Sequence, residues 1–138
     1  MADGECIFCQ IVSGDFPATF VHEDERTVAF MDINPSARGH VLVVPRAHSR
    51  DLYEVEPEDL AACMRTAKQL AAKIVENLDA EGVNVLQNTG RAAGQAVFHF
   101  HLHVIPRRAD DGIRGPHLSP RPADPKEIKE AAAAIRGD

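Results

Sequence analysis

Between Phe98 and Val104 the chain alternates without a break: Phe98, His99, Phe100, His101, Leu102, His103, Val104. Alternation of this kind is the signature of an extended segment, because side chains two apart on a β-strand share a face. The three imidazoles form a row about 13 Å long at ~3.3 Å per residue, and Phe98, Phe100, Leu102 and Val104 point the opposite way. Pro106 has no N–H for the ladder and is expected to end the strand. Three histidines buried on one face need several ring nitrogens satisfied at once, which plain packing does not supply. Two chemical readings remain open: the row ligates a metal, or one imidazole is a nucleophile supported by its neighbours.

The residues ahead of the row narrow the setting. Asn88 ends the preceding strand-like run Val83–Asn88, and Gly94-Gln95 lead into the histidine segment. A side-chain amide, a glycine N–H and imidazoles suit an oxyanion such as phosphate.

Elsewhere the pattern reads as one mixed domain. Pro57–Leu78 carries Leu60, Met64, Ala67, Ala71, Ile74 and Leu78 at three- and four-residue spacing. It is the long helix, with Pro57 in the first turn and Gly82 as the stop. Cys63 flanks that stripe as a small core residue. Thr19–His22 and Thr27–Met31 form a hairpin turned by Glu23–Arg26, and the almost wholly apolar Gly39–Pro45 is a central strand. Cys6–Ser13 is a short helix closed by Gly14. Residues 110–122 are rich in chain breakers and loose, with His117 on the surface. Asp124, Pro125 and Glu127 open a last Ala-rich helix ending near Ile135.

Lone features stay ambiguous. Asp32 is either a turn cap or an acceptor for ribose hydroxyls, with Ile33 against a base. His40 reads as structural. Cys6 and Cys9 are reduced thiols, a redox pair without its usual context, or half of a zinc site.

His99–Ile105, taken with Asn88, Gly94 and Gln95, resembles the signature of the histidine triad (HIT) family, and the order of elements follows that family from about residue 5 to 107. The resemblance is to the Hint-like bacterial branch that carries a CxxC pair. It implies an α+β fold: a roughly five-stranded antiparallel sheet, one long helix and short terminal helices. It implies one domain over 1–138, its core about 5–107 and its tail a loop and short helix. It implies a nucleotidyl hydrolase that releases a nucleoside monophosphate from purine nucleoside phosphoramidates or dinucleoside polyphosphates. In that scheme His101 is the nucleophile; His103, Gln95 and His99 assist. Asp32, Ile33, Asn88, Gly94, Gln95 and Ala96 bind the nucleotide alongside His101 and His103. Cys6, Cys9, His48 and His99 imply a structural Zn2+, with no metal required for the chemistry, and the family implies a homodimer. Ala96 departs from the family, where many members carry Ser or Thr. The alternatives are nucleotidyl transfer, a purine-nucleotide-binding regulatory protein with weak catalysis, and a histidine-ligated metalloenzyme.

Composition sets outer bounds. Acidic residues exceed basic ones, 21 to 15, for a net charge of −6, which argues against non-specific nucleic-acid binding. No apolar run reaches membrane-spanning length. The N-terminus lacks signal-peptide character and three cysteines make no disulfide framework, so the cytoplasm is the expected location.

Overall fold

The computed structural model describes residues 6–113 and 120–138, so His117 and part of the loop expected over 110–122 lie outside the described residues. Five strands, β1 (Phe20–Glu23), β2 (Thr27–Met31), β3 (Val41–Pro45), β4 (Gly82–Leu86) and β5 (Leu102–Arg107), form one sheet in the order β1-β2-β3-β5-β4. Every neighbouring pair is antiparallel. Three helices complete the fold: α1 (Ile7–Ser13), α2 (Pro57–Leu78) and α3 (Pro125–Arg136). This is the expected α+β architecture.

Alternation along the strands sorts side chains into two cores. Ala29, Met31, Val41, Val43, Leu102 and Val104 meet Cys63, Ala67, Leu70 and Ile74 of α2 and Ile128, Ala131 and Ile135 of α3. Val28, Phe30, Leu42 and Val44 face the other way, where α1 supplies Phe8 and Ile11. β2 and β3 are buried along their whole length, as inner strands covered on both faces must be.

The helix spans match, with two corrections in detail. Met64 is 49% exposed, whereas Cys63, Ala67, Leu70 and Ile74 are fully buried. The true stripe is rotated by one residue, and burial pushes the Cys63 thiol up to about 12, leaving it inert. The stop is Asp79, in the left-handed region at φ 56°, not Gly82, which opens β4. Asp is among the few non-glycine residues that adopt that conformation readily.

Pro106 does not end β5; the strand runs to Arg107, with Pro106 paired to Val83. β3 accompanies β5 only as far as Val41 opposite Val104, so the proline lies beyond that neighbour. The chain leaves β5 under the Arg107 guanidinium, which donates to Asn84 Oδ1 at 2.6 Å, Asp111 Oδ2 at 2.8 Å and the Ile113 carbonyl at 2.8 Å. The start of the tail is therefore held. At this same end of β3, Gly39 has φ +91°, and a Cβ there would come within 2.3 Å of Leu78 Cδ1. That close approach brings the 32–40 loop, with His40, against the sheet.

Candidate active site

Only His103 lies on β5; His99 and His101 precede it outside the ladder. The alternation survives because this stretch is anchored elsewhere, by the Phe100 amide donating to the Ser49 carbonyl at 2.7 Å. Phe100, Leu102 and Val104 enter the helix-covered core and the three histidines take the opposite face. Phe98 is the exception. It is half-buried, with the Arg91 guanidinium 5.7 Å from its ring centre.

Hydrogen-bond partners assign the ring protons. His101 Nδ1 lies 2.7 Å from the His99 carbonyl, which can only accept, so Nδ1 carries the proton and Nε2 the lone pair. Burial lowers the pKa of His101, opposed by that carbonyl and by the charge of Asp32; the ring is neutral near pH 7. The Ser36 amide donates to His40 Nδ1 at 3.0 Å. His40 Nε2 must then carry the proton it shares with His103 Nδ1 at 2.9 Å, and His103 in turn keeps its proton on Nε2. Burial, aided by the positive charge His101 would carry, lowers His40 to about 4; burial and both neighbours lower His103 to about 3. His103 is thus a fixed, uncharged donor beside a fixed acceptor, the rings 4.9 Å apart.

His40 is therefore more than structural. The signal was available: it sits two residues before Leu42, which pairs with His103. Asp32 Oδ2 lies 3.6 Å from His40 Nε2, and Asp32, His40 and His103 gather three potential ligand atoms. At 2.9 Å the two imidazole nitrogens share a proton; nitrogens bound to one tetrahedral ion at ~2.0–2.1 Å stand about 3.3 Å apart.

A cavity of about 350 Å3 opens over His101 and His103. Ile7, Phe8, Phe16 and Ile33 give it an apolar wall, and Gly94 and Ala96 lie along its lining. The α1 side of that wall was not foreseen from sequence, since Phe8 and Phe16 belong to no motif. Asp32 lines it too, while its Oδ1 caps the turn by accepting the Asn34 amide at 2.8 Å. The turn-cap reading of Asp32 therefore holds.

Two expected contributors are spoken for. Gln95 donates to the Arg50 and Val97 carbonyls at 2.8 and 3.1 Å and accepts from the Gly90 amide at 2.8 Å. It does not line the cavity and braces the 90–97 loop instead. The Gly94 amide donates to the Arg91 carbonyl at 3.0 Å, so its contribution is room: φ is +97°, and a Cβ would stand 3.4 Å from Asn88 Nδ2. Asn88 packs behind that glycine.

Behind the cavity stands a second cluster. Cys6, the N-cap of α1, Cys9, His48 and His99 bring their ligand atoms within 4.8 Å of one another. His99 Nε2 donates to the Pro45 carbonyl at 2.9 Å, which leaves Nδ1 as the ligand atom. Nδ1 lies 3.3 Å from Cys6 Sγ, 3.4 Å from Cys9 Sγ and 3.3 Å from His48 Nδ1, and Cys9 Sγ lies 3.3 Å from His48 Nδ1. Ligand atoms on a tetrahedral ion bonded at ~2.1 Å to nitrogen and ~2.3 Å to sulfur stand about 3.4–3.8 Å apart. Donor types and spacing both fit zinc. Phe8 links the two sites, its ring 5.9 Å from His99 and 5.1 Å from His101.

A fold of this topology, with an imidazole row pinned at each ring, defines a class, and comparison bears this out. The HIT domain family matches residues 13–110. An adenosine 5′-monophosphoramidase from Schizosaccharomyces pombe is 39% identical over 130 residues, 94% of this chain and 95% of that protein. A Zn-bound histidine triad family protein from Mycobacterium smegmatis superimposes with TM-score 0.88 at 42% identity, over 99% of this chain and 94% of that one. A histidine triad nucleotide-binding protein from Sulfolobus tokodaii gives TM-score 0.85 at 32% identity, over 96% and 90% of the two chains. The chain belongs to the HIT family.

Proposed function

We propose that the protein is a nucleotide hydrolase acting through a covalent nucleotidyl-His101. The observation that carries this is the 2.7 Å bond from His101 Nδ1 to the His99 carbonyl, which leaves an unprotonated Nε2 beside the cavity. The substrates we favour are purine nucleoside phosphoramidates or dinucleoside polyphosphates, the first being the class that the S. pombe relative is named for. Nε2 attacks the α-phosphorus, the P–N bond to His101 forms, and the bond to the leaving group breaks with its electron pair. An amine leaving group takes a proton from solvent. Water then attacks the phosphorus, releases a proton and the nucleoside monophosphate, and restores His101. Throughout, the His103 Nε2–H donates to a non-bridging oxygen, and the His99 carbonyl stabilises the charge on the nucleotidylated ring. Asp32 receives the ribose hydroxyls and the apolar wall stacks on the base. Ala96 offers a methyl where a hydroxyl would reach the scissile bridge.

Zinc, when bound by Cys6, Cys9, His48 and His99, supplies structural closure, since four protein ligands leave no open position. The same metal reading is supported by the Zn-bound relative. Thiols free of disulfides suit the reducing cytoplasm, and no helix among the described residues is long and apolar enough to cross a membrane. We also favour a homodimer: Met64 and Val75 on the outer face of α2 and Val85 on edge strand β4 are exposed apolar side chains.

Intact-mass spectrometry after rapid quenching with adenosine 5′-phosphoramidate tests the reading. The wild type is expected to show one nucleoside monophosphate adduct and His101→Asn none. Turnover that survives His101→Asn without an adduct would overturn it. AMP binding with no turnover and no adduct would instead favour a binding protein.

A further inference from the structure

A second cavity, of about 280 Å3, lies beside the first and takes no part in the chemistry above. The two share a wall. Met31 and Asp32 line both, and the returning chain contributes Pro120 to the first and the next residue, Arg121, to the second.

The second cavity is distinguished by its charge. Arg26, Arg46, Arg50, Arg107, Arg108 and Arg136 each stand within 4.0 Å of a carboxylate. Arg38, Arg65, Arg91 and Arg121 have no such partner among the described residues; Arg65 and Arg91 lie elsewhere, at another cavity and over the Phe98 ring, while Arg38 and Arg121 both line this cavity. In a chain of net charge −6, two of these four arginines therefore meet at one cavity. Their guanidiniums present forked donors suited to a phosphate dianion. The acids lining the same space are Asp32 and Glu127. Asp32 is engaged by the Asn34 amide through Oδ1 and faces His40 through Oδ2. Glu127 lies in the exposed first turn of α3.

The geometry points to a subsite for a second phosphate, carried on the ribose of the bound nucleotide. The inference rests on the nucleotide reading of the first cavity, in which Asp32 meets the ribose hydroxyls. A phosphomonoester on the 3′ or 2′ oxygen would cross the shared Asp32 wall and reach Arg38 and Arg121. The substrate class this favours is a nucleoside 5′-phosphoryl compound that also bears a ribose phosphate, the arrangement found at the nucleotide end of several coenzymes. The 5′ chemistry at His101 is unchanged, because the second phosphate extends away from it.

Isothermal titration with AMP, adenosine 3′,5′-bisphosphate and adenosine 2′,5′-bisphosphate tests this on the full chain. On wild type at least one bisphosphate is expected to bind about tenfold more tightly than AMP, the order expected of one charge-assisted contact pair. Raising the salt should shrink that advantage. In the double variant Arg38→Gln, Arg121→Gln, AMP affinity should be unchanged and the advantage lost. Both side chains are exposed, so the fold should be retained. Glu127→Gln should widen the advantage. If AMP binds and neither bisphosphate binds better, or if the advantage persists in the double variant, this inference falls while the nucleotide reading stands. If neither AMP nor the bisphosphates bind, both fall together.

Discussion

The two faces of the sheet are built from the same alternating strands yet differ in what holds them. On the helix-covered face, Phe100, Leu102 and Val104 meet α2 and α3 through hydrocarbon contact alone. On the other, His99, His101 and His103 are as deeply buried, but each ring nitrogen named above has an assigned partner or a role in one of the two sites. Non-directional packing tolerates exchange of similar volumes. A row of buried imidazoles tolerates little, because each displaced proton leaves a polar group without a partner. Mutation on the helix face should therefore show in stability alone, and mutation on the histidine face in chemistry as well.

The largest contrast should come from His101→Asn, which is expected to lower turnover at least about 10^4-fold with the melting temperature little changed. Steady-state kinetics beside calorimetry would show the split; comparable losses in both would break the distinction. Zinc removal should act next. With zinc bound as proposed, α1 would be fastened at Cys6 and Cys9, while its Ile7, Phe8 and Ile11 line the cavity. A strong chelator is expected to lower both the melting temperature and AMP affinity, and by linkage AMP should tighten zinc binding. Titration of AMP into loaded and stripped protein would check this.

On the helix face, Ile74→Ala should cost about 2–5 kcal/mol in denaturant unfolding while leaving AMP affinity alone. Met64→Ala should change monomer stability by less than about 0.5 kcal/mol, since the side chain is half-exposed. Stability should also depend on pH. His40 and His103 have folded pKa values of about 4 and 3, below the ~6.5 of the unfolded chain. Between those values the unfolded state binds more protons, so stability falls as pH drops from about 6.5 toward 3. The slope should be up to about 1.4 kcal/mol per pH unit for each ring. Urea melts across that window, compared with His40→Asn, should show a shallower slope in the variant.

Much of this was legible because periodicity reports which face a side chain takes. The histidine row and the 57–78 helix follow from it, and the Asp124 cap follows from Asp124, Pro125 and Glu127 as a helix-start signal. Periodicity does not report who the neighbours are. The strand expected across 97–101 has the right alternation but no ladder, since its amide at Phe100 goes to Ser49. Gln95 carries a plausible group for a phosphate, yet three backbone partners engage it. Met64 and Cys63 fit nearly the same helical spacing, and only the second packing layer decides between them. The stop at Asp79 depends on a left-handed residue that glycine would ordinarily supply. His40 looked structural because its partners, Ser36 and His103, are 4 and 63 residues away and join only in the fold.

Everything proposed for the site depends on where the ring protons sit, and 15N-resolved NMR of the histidine side chains at pH 7 reads that directly. His101 should be neutral with its proton on Nδ1 and an unprotonated Nε2, and His103 neutral with the opposite tautomer. A charged His101, or one protonated on Nε2, would contradict the account, for it would leave no lone pair facing the cavity.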